Sequence, residues 1–368
     1  MPLGGGQEIG NSCYFLRLGE TNVMMDAGYK GWSASNSTTT SREPELNHLL
    51  ESPFVSSLED IDVIIISHAH YDHVGYLDKI LKNNTKARVF MTETTKILAE
   101  YQLKHSDNDI CNFLDRIETV SFLHTYEYKD IEFTFTSAGH MPGAMMTLIQ
   151  YKGHNIVYTG DFSFKNTSLT DECMIPDVKV DTLIMCGTNA KRFGHKSHLL
   201  LDNTVNSIYN TVYNEKKVVC NCNQLSKSVE LLKALTERNI FNIKIYVDDS
   251  LRPLIEHFEK IGIKLLDENT ELVSSYPEIY GTNQFIYLVN NIKIPDRRIT
   301  VLKPDFSLHV DFNEMRELIK TIQADQIYMV HCGNSWDNNL TIEQDLMLDS
   351  ECLSQFTFAE TGELYNLK

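Results

Sequence analysis

The most informative segment of the chain reads Ile64-Ile65-Ile66-Ser67-His68-Ala69-His70-Tyr71-Asp72-His73. Its apolar half predicts a buried strand, and three histidines and an aspartate follow in the next loop. Alternate side chains at a strand end can converge on one point, and imidazole with carboxylate is a ligand set for zinc, manganese or iron. A solvated polar turn is the alternative, but so dense a His-x-His-x-Asp-His pattern favours a metal site.

Three other strand-like segments also deliver a polar residue at the carboxyl end. They are Phe133 to Ala138, Ile156 to Thr159 and Ile327 to Val330, which precede His140, Asp161 and His331. One histidine at a strand end is more often structural, but four such ends in one chain favour convergence on a dinuclear centre. Asp26, after Val23-Met24-Met25, fits a carboxylate that orients a ligand, and a turn-capping aspartate is the alternative.

Composition limits the class of protein. The 368 residues exceed one ordinary core, so we expect two cores or one domain with an insertion. The net charge of −17 argues against broad adhesion to nucleic acid or anionic lipid, although a nucleic-acid enzyme can concentrate positive potential in one cleft. Without a long apolar run or a leader-like start, we expect a cytoplasmic protein that does not enter membranes. The eight scattered cysteines fit reduced thiols.

Strands and helices alternate from about residue 178, which predicts a parallel α/β unit. After this unit we expect a helix over about 313–322, because Asp311 and Glu314 stand at capping-box spacing. The last predicted strand ends before His331.

The motifs, in this order, resemble those of the metallo-β-lactamase superfamily. Further segments resemble its nucleic-acid-processing branch, the β-CASP family, which includes the endonuclease of messenger-RNA 3′-end processing and ribonuclease J. The segments are Gly4 to Cys13, Ala138 to Ala144, Tyr158 to Phe162, Phe306 to Asp311 and Met329 to Gly333. The resemblance implies an α/β fold, an αββα sandwich with a smaller parallel α/β domain inserted. The implied boundaries are 1–188 and 299–368 for the core and 189–298 for the β-CASP-like insertion.

The resemblance also implies a ligand set for two zinc ions, and manganese suits the same donors. The first ion would be held by His68, His70 and His140, the second by Asp72, His73 and His331, with Asp161 as the bridge. His309 would be the general acid, and it would act with Asp72 and Asp161 in catalysis. From the residues alone, His309 fits a packing residue at a helix start equally well.

Two positions differ from the family pattern. Cys186 stands where the family carries an acidic residue that would hold and charge His309, and a thiol is a weaker partner. Lys227 stands where an arginine is frequent, so it is either a phosphate contact or a solvated lysine at a helix start. We also take Ser307 as a candidate substrate contact.

The resemblance implies a zinc-dependent phosphodiesterase that hydrolyses single-stranded RNA. Two cations about 3.5–4 Å apart can activate a shared water for in-line attack, and a histidine can protonate the leaving oxygen. One alternative is a metal-dependent hydrolase of a small ester or phosphodiester, and another is a weakly active RNA-binding subunit. The sequence leaves open endonuclease or exonuclease action, and a homodimer or a protein complex.

Overall fold

A computed structural model of the protein describes residues 1–30, 43–104, 113, 115–190, 197–221, 225–239, 242–276, 281–289, 300–304, 306–332, 346 and 355–367. The chain forms two compact units. The first contains Met1–Phe164, Glu172–His195 and His309–Lys368, and the second contains Lys165–Asp171 and Lys196–Leu308.

The described part of the first unit contains two sheets. One sheet has the order β1 (Pro2–Gly4), β2 (Cys13–Leu18), β3 (Thr21–Met25), β4 (Val63–Ile65), β5 (Arg88–Thr92) and β6 (Ile117–Val120). The other has the order β18 (Gln355–Phe358), β17 (Gln326–Val330), β11 (Thr182–Cys186), β10 (His154–Tyr158), β9 (Met145–Tyr151), β8 (Ile131–Ser137) and β7 (Thr125–Tyr128). Strands β10, β11, β17 and β18 are parallel, as are β3 to β6.

The inward faces of these sheets share one hydrophobic core, because the strands present alternate apolar side chains. Phe90 of the first sheet packs against Phe133 of the second, with 5.9 Å between the ring centroids. Cysteines within the described residues are buried free thiols, namely Cys13, Cys173, Cys186, Cys220 and Cys332.

The helices of the first unit are α1 (Leu46–Leu50), α2 (Tyr71–Val74), α3 (Leu77–Lys82), α4 (Glu93–Lys104) and α8 (Phe312–Ile322). The predicted helix start is confirmed, since Asp311 caps α8 and forms a reciprocal capping box with Glu314. A helix apolar and long enough to span a bilayer does not occur among the described residues.

The second unit is the parallel α/β structure that the alternating pattern predicts. Its sheet has the order β14 (Thr270–Val273), β13 (Lys244–Asp248), β15 (Phe285–Val289), β12 (Lys217–Asn221) and β16 (Thr300–Leu302). The pairings between its neighbouring strands are parallel. Helices α5 (Ser197–Glu215), α6 (Leu225–Glu237) and α7 (Arg252–Lys260) connect these strands.

The boundaries of the insertion differ from the expected 189–298. The structure places its main part at 196–308, and strand β16 shows why the later boundary moves. Residues 300–302 pair in parallel with β12, so they complete the inserted sheet instead of opening the last core segment. The segment Lys165–Asp171 also joins this unit, since Ser168 N donates a 2.7 Å hydrogen bond to Glu230 Oε1 in α6.

Glu230 makes the stability of the second unit depend on pH. Its side chain is 2% exposed, and burial raises its pKa to about 7 although Ser168 N favours the carboxylate. The folded state therefore favours the protonated acid. That stabilisation is fully present below the unfolded pKa of about 4.5 and is lost as the pH rises through about 7.

Glu230→Gln removes this titration and leaves an amide oxygen for Ser168. We expect its stability relative to the wild type to rise by about 2–3 kcal/mol between pH 5 and pH 8. Urea unfolding at the two pH values measures this difference. The control is Glu256→Gln at an exposed position of α7, which leaves Glu230 and Ser168 in place, so the pH dependence of the wild type should persist. Equal effects of Glu230→Gln at both pH values would contradict a raised pKa.

Candidate metal centre

The residues predicted as metal ligands meet at the carboxyl ends of four strands in the first unit. His68 follows β4, His140 follows β8, Asp161 follows β10, and His331 follows β17. His70 lies between β4 and α2, and the short helix α2 supplies the remaining two, Asp72 and His73. The complete set brought together is His68, His70, Asp72, His73, His140, Asp161 and His331.

Strained or tightly packed backbone holds several of these positions. Asp26 and His331 have φ angles of 58° and 52°, a left-handed conformation that costs non-glycine residues about 1 kcal/mol or more. Gly160 has a φ of 54°, and a Cβ there would lie 2.7 Å from Ser67 Cβ. Glycine is therefore needed for the loop before Asp161 to approach the loop before His68.

One group of ligand atoms comes from three histidines and Asp161. His70 Nδ1 lies 3.0 Å from His68 Nε2 and 3.1 Å from His140 Nε2. Asp161 Oδ2 lies 3.7 Å from the Nε2 atoms of both His68 and His140. These four donor atoms lie within 4.8 Å of one another, which is compact enough to surround one ion.

A second group lies on the other side of Asp161. His331 Nε2 is 3.4 Å from Asp72 Oδ2, and His73 Nε2 is 3.5 Å from Asp161 Oδ2. Asp72, His73 and His331 also present donor atoms within 4.8 Å of one another. Because Asp161 Oδ2 approaches histidines of both groups, its position suits a bridging carboxylate.

Asp161 Oδ2 provides the test of whether a cation fits. This oxygen is buried and accepts no hydrogen bond within the described part of the chain. Nitrogens of His68, His73, His140 and His309 nevertheless surround it at 3.3–3.7 Å. An unsatisfied buried carboxylate oxygen is costly. A cation between the oxygen and these nitrogens would satisfy all of them, so the cluster can bind metal.

The electrostatics favour the ligand forms of several side chains. Burial, reinforced by neighbouring imidazoles, holds the pKa of His68 well below its usual value and lowers that of His70 to about 3. Burial alone would raise the pKa of Asp161, but the imidazoles, led by that of His331, hold it well below its usual value. Neutral imidazoles and an ionised carboxylate are the forms that coordinate cations.

Asp26 lies behind His73. Its Oδ2 is 2.7 Å from His73 Nδ1, which leaves His73 Nε2 facing Asp161. Burial opposes protonation of His73, but Asp161 and Asp26 raise its pKa to about 10. A carboxylate behind an imidazole fixes the ring orientation and raises its basicity.

Sequence reasoning missed several groups around these side chains. Ser67 donates to Asp26 through N at 2.7 Å and through Oγ at 2.8 Å, and the Tyr158 hydroxyl donates to Asp26 Oδ2 at 2.5 Å. Ser12 Oγ lies 3.4 Å from His73 Nε2. Ser67 and Tyr158 lie within segments quoted in the sequence analysis, and that placement is the signal that could have revealed them.

Cys186 lies among the side chains of the candidate metal site. Its polar contacts are with Asp161 Oδ1 at 2.9 Å, Thr188 Oγ1 at 3.1 Å and His331 Nδ1 at 3.6 Å. The cause is strand register, because Cys186 at the end of β11 pairs with Val330, directly before His331. Burial, together with Asp161, raises the pKa of the Cys186 thiol to about 11, so Sγ keeps its proton and donates.

His309 lies beside the first group of ligands. Its Nδ1 is 3.3 Å from Asp161 Oδ2, and its ring centroid is 4.6 Å from that of His140. The side chain is 24% exposed, whereas those of His140 and Asp161 are almost fully buried. Burial holds the pKa of His309 below its usual value, although Asp161 opposes this effect. A partly exposed imidazole at this place can exchange a proton with a bound substrate.

The two candidate substrate contacts belong to the second unit. Lys227 lies in α6, and its Nζ is 5.6 Å from the ring centroid of buried Phe306. Ser307 follows Phe306 in the chain. Their contacts with substrate stay predictions.

Comparison with known families supports the resemblance. Residues 21–219 match the family model described as the beta-lactamase superfamily domain. The chain is 27% identical to Endoribonuclease ysh1 of Schizosaccharomyces pombe, with 89% of this chain and 53% of that protein covered. It is 30% identical to Cleavage and polyadenylation specificity factor subunit 3 of Dictyostelium discoideum, with 67% and 33% covered. The similarity to RNA-processing members of the superfamily is thereby confirmed.

The chain spans about half or less of the length of these curated relatives. Among solved structures, it is similar to a protein of unknown function from Enterococcus faecalis V583. The TM-score is 0.66 at 13% identity, with 98% of this chain and 97% of the other covered. Together with the family model, this similarity confirms the predicted fold class.

Proposed function

The chain belongs to the beta-lactamase superfamily, and on this premise we propose that it is a metal-dependent endoribonuclease acting on single-stranded RNA. The observation that carries the proposal is the buried Asp161 Oδ2, which has four imidazole nitrogens at 3.3–3.7 Å and no hydrogen bond among the described residues. The endoribonucleases and cleavage factors among its relatives support RNA as the substrate.

We assign the two ions to the two groups of side chains described above, with zinc as the first choice and manganese as an alternative. His68, His70 and His140 would hold one ion, Asp72, His73 and His331 the other, and Asp161 would bridge them. When bound, such ions activate water and offset the negative charge that develops on a phosphodiester.

The protein side chains contribute orientation and proton transfer. Asp26 fixes the ring of His73, so that Nε2 faces Asp161. His309 would donate a proton to the leaving alkoxide oxygen, which has a high pKa and leaves poorly without one. The 2.9 Å contact between His331 Nδ1 and Asp161 Oδ1 would fix the ring of His331, so that its Nε2 faces Asp72.

Several relatives are named as subunits of a cleavage and polyadenylation specificity factor. We therefore propose that this chain also works within a protein complex. A homodimer and a cytoplasmic location stay predictions from the sequence.

The test uses a circular single-stranded RNA and a 5′-labelled linear RNA of the same sequence. Zinc-loaded protein should open the circle, which only an endonuclease can do, and chelation should reduce cleavage more than about 100-fold. A single-stranded DNA of the same sequence, expected to be cut more slowly, measures the preference for RNA. A ladder from one end of the linear RNA with an intact circle would contradict endonuclease action.

A chromogenic phosphodiester and a chromogenic ester serve as the comparison substrates. Metal-loaded protein that turns over these small molecules and leaves every RNA intact would overturn the ribonuclease proposal in favour of a small-ester hydrolase. Metal binding without any hydrolysis would instead favour a binding subunit.

A further inference from the structure

Cys186 lies where two neighbouring strands present their last residues. It ends β11 in register with Val330 of β17, and its side chain is 2% exposed. The Sγ atom donates to Asp161 Oδ1 at 2.9 Å. Thr188 Oγ1 is 3.1 Å from Sγ and 3.4 Å from His331 Nδ1, so it extends the same polar cluster.

The two oxygens of Asp161 have different surroundings. Oδ1 has two close donors, Cys186 Sγ and His331 Nδ1, both at 2.9 Å. Oδ2 accepts no hydrogen bond from any residue in the described ranges, and it faces the imidazole nitrogens at 3.3–3.7 Å. The carboxylate is thus anchored through one oxygen and leaves the other for a cation.

We infer that Cys186 is a positioning residue for metal binding, whose thiol, together with His331, holds Asp161 Oδ1 and thereby keeps Oδ2 directed at the ligand nitrogens. The inference rests on the metal centre of the proposed function. It assigns Cys186 to Asp161 instead of to His309, and it gives the thiol a part in assembling the site instead of in proton transfer.

The chemistry of the thiol suits this position. A carboxylate at 186 would put a second negative charge within about 3 Å of Asp161, in a region without solvent, where like charges repel strongly. A thiol is a neutral donor that adds no charge. Hydrogen-bond partners of metal ligands commonly change metal affinity 10–100-fold when they are removed.

The experiment measures metal affinity by competition with a chelator, without RNA. Cys186→Ala removes the donor, and we expect at least about tenfold weaker metal binding. Cys186→Ser supplies a hydroxyl donor and should restore the affinity to within about threefold of the wild type. The matched control is Cys173→Ala, another buried cysteine of the first unit, which should leave the affinity unchanged.

Thermal unfolding of the metal-free variants checks that each is folded. If Cys186→Ala does not fold, Cys186→Val replaces it, because valine fills the space without a donor. Metal affinity equal to that of the wild type in a folded donorless variant would overturn the inference. So would Cys186→Ser that binds metal as weakly as Cys186→Ala.

Cobalt substitution separates a positioning residue from a ligand. We expect the wild-type cobalt protein to lack a thiolate-to-cobalt charge-transfer band. A strong band that Cys186→Ser abolishes would identify Cys186 as a ligand and overturn the inference. Because no readout involves RNA, a wild-type protein that shows the expected metal affinities but cuts no RNA would contradict the proposed function alone.

Discussion

Asp161→Ala is expected to eliminate cooperative binding of two metal ions and to abolish RNA cleavage. Asp161 is the side chain that approaches both groups of ligands, through Oδ2 at 3.7 Å from His68 and 3.5 Å from His73. Its loss removes an anionic ligand from each ion at once. Loss of a residue that only hydrogen-bonds a metal ligand weakens metal binding by up to about 100-fold. Because Asp161 would itself be a ligand, we expect its loss to weaken metal binding by more than about 100-fold.

The metal-free protein should also respond. Asp161 raises the pKa of His73 and that of His331. Its removal is therefore expected to lower both pKa values, so that the two imidazoles stay neutral down to a lower pH. Asp161→Asn, which keeps the shape and removes the charge, should behave like the alanine variant. Metal content by mass spectrometry of the intact protein and the rate of RNA cleavage measure the loss of metal binding and of activity in both variants.

The control for Asp161 is Asp78→Asn. Asp78 is also fully buried in the first unit, but it forms an ion pair with Lys82 at 3.5 Å, within α3. This variant is expected to keep its metal ions even if it is less stable. Two ions bound to Asp161→Ala with wild-type affinity would refute the bridging assignment.

The convergence of the candidate ligands was predictable because the information is local. His68, His70, Asp72 and His73 lie within six positions, directly after the apolar run that forms β4. The other ligands each follow a strand that the apolar pattern already predicts. Parallel strands place their carboxyl ends at one edge, so convergence follows from strand direction.

Other contacts were not predictable, because they depend on pairing between distant segments. The Tyr158 hydroxyl reaches Asp26 across 132 positions of sequence. The register of β11 against β17 places Cys186 beside Val330, directly before His331. A one-residue shift in this register would have turned the Cys186 side chain to the other face of the sheet. The same holds for β16, whose pairing with β12 moved the later boundary of the insertion.

His309→Ala is expected to slow RNA cleavage by about 10²–10⁴-fold, the range for loss of a general acid, while metal binding stays close to that of the wild type. The side chain of His309 is partly exposed, and its ring packs at a tilt against that of His140, with 4.6 Å between the ring centroids. This combination suits a group that meets the substrate. His48→Ala, a partly exposed histidine that pairs with Glu45, is the matched control and should keep full activity.

The dependence on pH distinguishes a proton donor from a packing residue. Burial holds the pKa of His309 below its ordinary value, and cations bound nearby would lower it further, so its acid form is lost as the pH rises. The wild-type rate should therefore carry a component that declines with rising pH, and His309→Ala should lack that component. A variant with the wild-type profile would contradict the assignment.

A substrate with a better leaving group gives the sharper test of His309. Replacing the leaving oxygen by sulfur gives a thiolate, which needs no proton to depart because its pKa is far below that of an alkoxide. His309→Ala should then cut the sulfur-containing RNA at nearly the wild-type rate, while Asp161→Ala should cut neither substrate. If the sulfur substrate is as slow as ordinary RNA for His309→Ala, the imidazole acts by positioning the phosphate, because the loss is then independent of the proton that the leaving group requires.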